Sequence, residues 1–198
     1  MHVAEGILSG PVLLSAATAA AIGTGIGLKK MDVERIARTG MLAAAFFVTS
    51  LIHVPIGPSN IHLILNGIVG LLLGWTAFPA ILIALVLQAL FFQYGGISTL
   101  GVNTLIMALP AVTCGILLGR FTMSPSVWGF VAAFLTGALA VLLAGLLTAL
   151  ALIFTEAGFW AAATLVLTAH IPVMVIEGII TAFAVSFLRK VAPEMLHR

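Results

Sequence analysis

Long apolar stretches separated by short polar breaks dominate the chain, and they predict membrane-spanning helices. Seven such stretches lie at 9–28, 38–54, 62–76, 79–94, 103–119, 127–154 and 159–188. An α-helix needs about 20 apolar residues to cross a bilayer, so the third and fourth stretches are short. The pattern predicts an all-α integral membrane protein, a bundle of about seven transmembrane helices that forms a single membrane domain over residues 1–198.

The composition supports a membrane-embedded chain. Of its 198 residues, 62% are hydrophobic and only 7% are charged. A soluble domain carries about 25% charged residues, so this chain has too few to cover a water-facing surface. The single cysteine, Cys114, excludes both an internal disulfide and a cysteine-based zinc site. The net charge of +2 gives no reason to expect a nucleic-acid partner.

The positions of the basic residues predict the orientation. With seven spans and the N-terminus outside, all eight lysines and arginines fall on the cytoplasmic side. This agrees with the excess of basic residues that cytoplasmic loops carry. We therefore expect an external N-terminus and a cytoplasmic C-terminus. Residues 1–9 contain no lysine or arginine, so we expect no signal peptide. We expect Met1 to be retained because the second residue, His2, is bulky.

The first two residues can chelate a metal ion. The Met1 amine and the His2 amide nitrogen close a five-membered ring, and the same amide and the His2 Nδ1 close a six-membered ring. These three nitrogens lie in one plane, which suits Ni(II), Cu(II) or low-spin Co(II). One further donor would complete a square.

Two external loops contain candidates for that donor and for its supports. His62 is expected near the first turn of the third span, facing an outward cavity, and His53 is the competing ligand. The glycine-rich segment 91–103 is expected to fold inward and brace the site, because irregular backbone near lipid must be buried or line a cavity. Asn103 and Asn66 are candidates to orient the imidazoles, or simply to cap helix ends.

Other polar or small residues within the spans leave two interpretations open. His170 and Glu177 are seven residues apart and share one helix face, so they form either a structural pair or a functional one. Small residues of the first span, including Ala17 and Ala21, either pack inside the bundle or dock another subunit. The chain lacks a phosphate-binding G-x-x-x-x-G-K-[ST] motif and the common hydrolase motifs, so we do not expect an enzyme.

Four stretches together resemble CbiM, the substrate-capturing membrane subunit of cobalt energy-coupling-factor transporters, whose nickel relatives are similar. These stretches are MHVAEGILS at the start, GPSNIHLILNGIVGLLLGW from Gly57, FFQYGGISTLGVNTLIMALPA from Phe91 and HIPVMVIEGIITAFAVSFLRKVAPEML near the end. They follow the family's order and cover most of the chain. Asn60 replaces a more common serine.

The resemblance implies a function and a set of partners. The metal would be held by Met1, His2 and His62, as the chelate geometry also suggests. The chain would bind Co(II), or Ni(II), as transported ion and without a cofactor. The partners would be a transmembrane coupling subunit, two ATP-binding cassette ATPases and a small auxiliary membrane subunit. The setting would be a bacterial or archaeal cytoplasmic membrane, and the cobalt would serve cobalamin biosynthesis.

Two other classes of protein remain as alternatives. A stand-alone secondary transporter or channel would be expected to have inverted repeats and several intramembrane charges. An intramembrane metalloenzyme would use His170 and Glu177, but no hydrolytic motif accompanies them.

Overall fold

The structure is a computed structural model that describes residues 2–56 and 59–196, with the side chains of 53–62 outside the description. Within these residues the chain forms seven α-helices and a two-stranded hairpin. The helices are α1 (Gly10–Lys29), α2 (Val33–Thr49), α3 (Asn66–Leu73), α4 (Ala77–Phe92), α5 (Leu100–Thr122), α6 (Val127–Thr155) and α7 (Trp160–Val191). The strands are β1 (His53–Ile56) and β2 (Ser59–His62), which pair antiparallel.

Five described helical segments are long and apolar enough to cross a membrane. They are Gly10–Lys29, Asn66–Phe92, Leu100–Thr122, Val127–Thr155 and Ala157–Val191. The segment Asn66–Phe92 corresponds to the predicted third and fourth stretches together. It contains α3, a single 3-10 turn and α4. The second stretch corresponds to α2, which has 17 residues.

The predicted helix over 38–54 is wrong at both ends. The helix begins earlier, at Val33, because the Asp32 carboxylate accepts a hydrogen bond from the Arg35 backbone N–H at 2.9 Å. It ends at Thr49, and the Ser50 hydroxyl bonds back to the Phe47 carbonyl at 2.6 Å. His53 and Val54, which the sequence predicts at the end of this helix, belong to strand β1 instead.

The predicted helix over 62–76 is also wrong, because α3 is only eight residues long. His62 ends strand β2 and pairs with His53, so it does not lie in a first helical turn. A helix of this length rises about 12 Å, less than half of a hydrocarbon core. All eight residues of α3 are buried, and a β-carbon at Gly70 would overlap the Ala111 backbone of α5. The glycine is required by this close approach of two helices.

The last two helices are long, continuous and antiparallel. α6 has 29 residues and α7 has 32, with Pro172 inside α7. The direction follows from three contacts, in which Gly129, Gly137 and Gly145 of α6 face progressively earlier residues of α7, namely Arg189, Thr181 and His170.

The basic residues lie at the end of the helix bundle opposite His2. His2, the C-terminal end of α4 and the N-terminal end of α5 lie together at one end of the bundle. The described lysines and arginines lie in the last turn of α1, α5 or α7, directly after α1, or in the first two turns of α2, and so at the opposite end: Lys29, Lys30, Arg35, Arg38, Arg120, Arg189 and Lys190. We call these the His2 end and the basic end.

Candidate metal centre

The beginning of the chain folds back onto the helices at the His2 end. His2 Nε2 lies 2.7 Å from the Gln88 side-chain oxygen on α4. The Gln88 amide nitrogen in turn donates to the Ser50 hydroxyl at 2.8 Å, and Gln88 itself is fully buried. Because the amide nitrogen of Gln88 faces Ser50, its oxygen must face His2. His2 Nε2 therefore carries the proton and donates it.

This hydrogen bond selects the imidazole tautomer that chelation needs. With the proton on Nε2, the lone pair of the neutral ring resides on Nδ1, the nitrogen that can close a six-membered ring with the His2 amide. Burial lowers the pKa of His2 from 6.5 to about 3, so the ring is neutral at physiological pH. The Tyr94 ring lies beside it, with the ring centroids 5.7 Å apart.

The next residue, Val3, is held through its backbone by Asn103 of α5. The Val3 N–H donates to Asn103 Oδ1 at 2.9 Å, and Asn103 Nδ2 donates to the Val3 carbonyl at 3.1 Å. A second hydrogen bond, of 3.3 Å, runs from the same nitrogen to the Thr99 hydroxyl. Asn103 is 2% exposed, so this pairing is buried. It fixes the backbone directly after the candidate chelating amide.

The loop between α4 and α5 also contacts the beginning of the chain, as the sequence predicts. The Glu5 carboxylate accepts from the Ser98 backbone N–H at 3.0 Å and from its hydroxyl at 3.2 Å. These hydrogen bonds lower the pKa of Glu5. Gly96 has φ +147°, and a β-carbon there would overlap the Glu5 side chain. Glycine at this position lets the loop approach closely.

The remaining predicted ligands are described only in part. Met1 lies outside the described residues, as do the side chains of His62 and His53. The backbone register pairs His53 with His62 across the hairpin. No cluster of three or more histidine, cysteine or acidic side chains that could hold a metal occurs among the described residues. The ligand set Met1, His2 and His62 thus stays a prediction.

The segment after His62 is tied to α7 by Glu177. Its carboxylate accepts a short hydrogen bond from the Ile64 backbone N–H. It also accepts from the Leu65 N–H, at 2.9 Å to one oxygen and 3.1 Å to the other. Glu177 is fully buried, and Leu65 adopts φ +53° immediately before α3. The carboxylate therefore satisfies amides at the beginning of a helix that starts inside the bundle.

His170 and Glu177 have different partners among the described residues, so the expected pairing of the two is not found there. His170 Nδ1 lies 2.5 Å from the Val166 carbonyl of its own helix. Asn66, a candidate support of the site, instead donates to the Ala140 carbonyl of α6 at 3.3 Å.

The candidate docking residues Ala17 and Ala21 are exposed, although Ala17 also touches α5, where a β-carbon at Gly101 would lie 2.5 Å from its Cα. Their role in docking stays a prediction.

Sequence reasoning missed Gln88 and Ser50. A signal for Gln88 existed, because it is the one polar residue between positions 80 and 92, in the middle of an apolar run. A polar side chain in such a run requires a buried partner. Ser50 offered less, because a serine at a helix end is common.

Comparison with known proteins shows the family of this chain. The family described as "Cobalt uptake substrate-specific transmembrane region" matches residues 2–195. A protein of Haemophilus influenzae, assigned provisionally to metal transport, is 41% identical, covering 100% of this chain and 98% of that protein. The cobalt transport protein CbiM of Kyrpidia tusciae is 33% identical, covering 100% and 87%. The fused nickel transport protein NikMN of Rhodobacter capsulatus is 37% identical over 55% of this chain and 33% of its own length.

A solved structure shares the fold. The crystal structure of a transition metal transporter superposes with a TM-score of 0.83 at 26% identity, covering 96% of this chain and 93% of that one. The apolar helices and these similarities define a membrane component of transition-metal uptake. More specifically, the chain belongs to the CbiM family of cobalt and nickel transport proteins.

Proposed function

We propose that this protein is the substrate-binding subunit of an ATP-driven energy-coupling-factor importer that takes up Co(II). The observation that carries the proposal is the state of His2. Its ring is neutral, its tautomer is selected by Gln88, and the following backbone is clamped by Asn103. An ordinary disordered N-terminus would have no such contacts.

The proposed coordination uses four nitrogens. They are the Met1 amine, the amide and Nδ1 nitrogens of His2, and the imidazole of His62. Deprotonation of the His2 amide releases a proton, so affinity should rise with pH. Gln88 acts as the partner that orients a metal-binding histidine, a role that usually contributes 10- to 100-fold in affinity.

The proposed orientation has the His2 end outside and the basic end in the cytoplasm. The supporting observation is that the described lysines and arginines lie at the basic end. In this topology the chain crosses seven times, and the hairpin together with α3 makes the third crossing. A helix as short as α3 is tolerated within a crossing because protein buries all of its residues.

The proposed assembly includes a transmembrane coupling subunit, two ATP-binding cassette ATPases and a small auxiliary membrane subunit in a bacterial or archaeal cytoplasmic membrane. The chain has no nucleotide-binding motif, so energy for release must come from elsewhere. The imported cobalt would supply cobalamin biosynthesis. Uptake by this chain in cells that lack the ATPases would contradict the assembly and favour a stand-alone transporter.

Ni(II) is the second candidate substrate, and a specific similarity favours it, because one relative is named as a nickel transport protein. A planar set of nitrogens discriminates weakly between these two ions. Titration of the same sample with Co(II) and with Ni(II) compares them directly.

The deciding experiment blocks the amine. Protein with its native N-terminus and a C-terminal tag is titrated calorimetrically with Co(II), beside a variant that carries a Gly-Ser extension before Met1. We expect one high-affinity site that the extension abolishes, because the amine becomes an amide. The two histidines of the hairpin test the fourth ligand. His62→Ala should weaken binding strongly, and His53→Ala, the matched control, should weaken it only slightly. Full affinity in the extended protein would overturn the chelate.

A further inference from the structure

A basic pocket lies at the end of the bundle opposite the candidate metal centre. It has a volume of about 290 Å³ and opens between the beginning of α2 and the turn before α4. Its cationic side chains are Lys30, Arg35 and Arg38, and Trp75 and Thr76 complete its polar side. No acidic side chain lines it among the described residues.

Only one of the three cations in the basic pocket has an acidic partner among the described residues. Arg35 forms an ion pair with Asp32 at 3.1 Å, the one ion pair found in the described part of the chain. Arg38 has no such partner, and its Nε and Nη2 atoms are buried without a hydrogen bond to any described residue. A guanidinium removed from water without an acceptor is costly, so the pocket is suited to an anion.

The cavity next to the basic pocket indicates which kind of anion would bind there. A second cavity, of about 320 Å³, shares Ile116 with the basic pocket. Its lining is mainly apolar (Leu71, Gly115, Gly119, Met123 and Leu196), with Arg120 and Thr122 as its polar members. A charged pocket directly beside an apolar one matches a molecule with a phosphate and a hydrocarbon chain. Inorganic phosphate would use only the first of these two cavities.

The chemistry of the residues that line the basic pocket also favours a phosphate group. An arginine fork binds phosphate oxygens in pairs, and lysine adds a mobile charge. Lys30 lies over the Trp75 ring, with its Nζ 5.7 Å from the ring centroid. Tryptophan is typical of the bilayer interface, and basic pockets between transmembrane helices on the cytoplasmic side bind anionic headgroups.

We propose that the basic pocket binds the phosphate of an anionic phospholipid through Lys30, Arg35 and Arg38, with part of an acyl chain in the cavity beyond Ile116. Such a lipid would connect the end of α1, the beginning of α2 and the turn before α4. It would therefore stabilise the folded protein in proportion to its occupancy. This inference is independent of metal binding at the opposite end.

The test compares bilayers. Detergent-purified protein is reconstituted into phosphatidylcholine bilayers with and without phosphatidylglycerol, and its thermal unfolding is measured. We expect phosphatidylglycerol to raise the unfolding temperature, and Arg38→Gln to remove most of that increase. Each cation removed should weaken lipid binding about fivefold. Lys190→Gln removes an exposed charge at the same end and serves as the matched control, which should keep the increase.

Three outcomes would overturn the proposal. Equal stability in both bilayers would exclude a preference for the anionic lipid. An equal loss in Lys190→Gln would show a general effect of surface charge. The same stabilisation by inorganic phosphate in neutral detergent would assign the pocket to the free ion. If Arg38→Gln does not fold, native mass spectrometry of the wild type replaces it. Retention of phosphatidylglycerol over phosphatidylcholine then supports the site, and indifference contradicts it.

Discussion

Two segments contain the predicted metal ligands His2 and His62, and they are held in different ways. The N-terminal arm (residues 2–9) is fixed by neutral amides at the His2 end, through Gln88 and Asn103. The His62 segment (residues 62–65) is fixed by one buried carboxylate, Glu177. His2 and Val3 are thus held by neutral groups, and the carboxylate of this arm, Glu5, is exposed where it accepts from Ser98. A buried carboxylate cannot lose its partners without a large cost.

The contrast suggests a division of roles. The hydrogen bonds of the arm select a tautomer and align a chelating backbone, so their removal should change metal affinity more than the fold. Glu177 satisfies amides at the beginning of α3, so its removal should change the fold and, through it, the position of His62. The predictions below test that division, in order of decreasing expected effect.

The largest effect is expected for Glu177→Ala. The change leaves the Ile64 and Leu65 N–H groups without an acceptor, and each such group costs about 1–3 kcal/mol. Unfolding temperature and Co(II) affinity should both fall. Glu177→Gln keeps one carbonyl oxygen and should recover part of both, as measured by thermal unfolding and calorimetry. An unchanged unfolding temperature in the alanine variant would show that Glu177 does not anchor the segment.

Gln88→Leu should weaken Co(II) binding about 10- to 100-fold with a smaller effect on stability, because His2 loses its orienting acceptor. Gln88→Glu keeps an acceptor and should retain more affinity than Gln88→Leu. The tautomer can be read directly from the ¹⁵N shifts of His2. If His2 keeps the proton on Nε2 in the leucine variant, Gln88 does not select the tautomer.

Two buried asparagines form a matched pair. Asn103→Ala should lower metal affinity, because the backbone of Val3 loses a donor and an acceptor worth about 1–3 kcal/mol. Asn66→Ala removes a hydrogen bond to α6 instead, so it should lower the unfolding temperature and leave affinity nearly unchanged. Equal losses of Co(II) affinity in the two variants would show that Asn103 acts on metal binding no differently from an asparagine in the interior of the bundle.

The smallest effect concerns pH. The pKa of His2 in the folded protein is about 3, below the value of 6.5 for a solvated ring. The unfolded chain therefore takes up a proton first, so the stabilising contribution is complete above pH 6.5 and is lost as pH falls towards 3. His2→Gln should flatten this dependence in metal-free thermal unfolding. If His2→Gln retained the wild-type dependence of stability on pH, other titratable groups would be its cause.

Much of the candidate site was visible in the sequence, because its chemistry is local. The chelating dipeptide needs only Met1 and His2 as neighbours along the chain, and the loop 91–103 is marked by polar residues and glycines in an apolar context. Gln88 could have been found in the same way, as a lone amide in an apolar helix. Its pairing with His2 could not, since 86 residues separate them.

The sequence by itself determined the class of protein: a helical membrane chain with its basic residues near helix ends. Apolar run lengths and charge positions carry that information because each bilayer crossing depends only on its own segment. Only the tertiary structure decided that the third predicted span contains a helix of eight residues that follows a hairpin, and that Glu177 binds the amides before this helix. An apolar run of that length is also compatible with one continuous helix. The break depends on backbone hydrogen bonds that a distant carboxylate on α7 supplies.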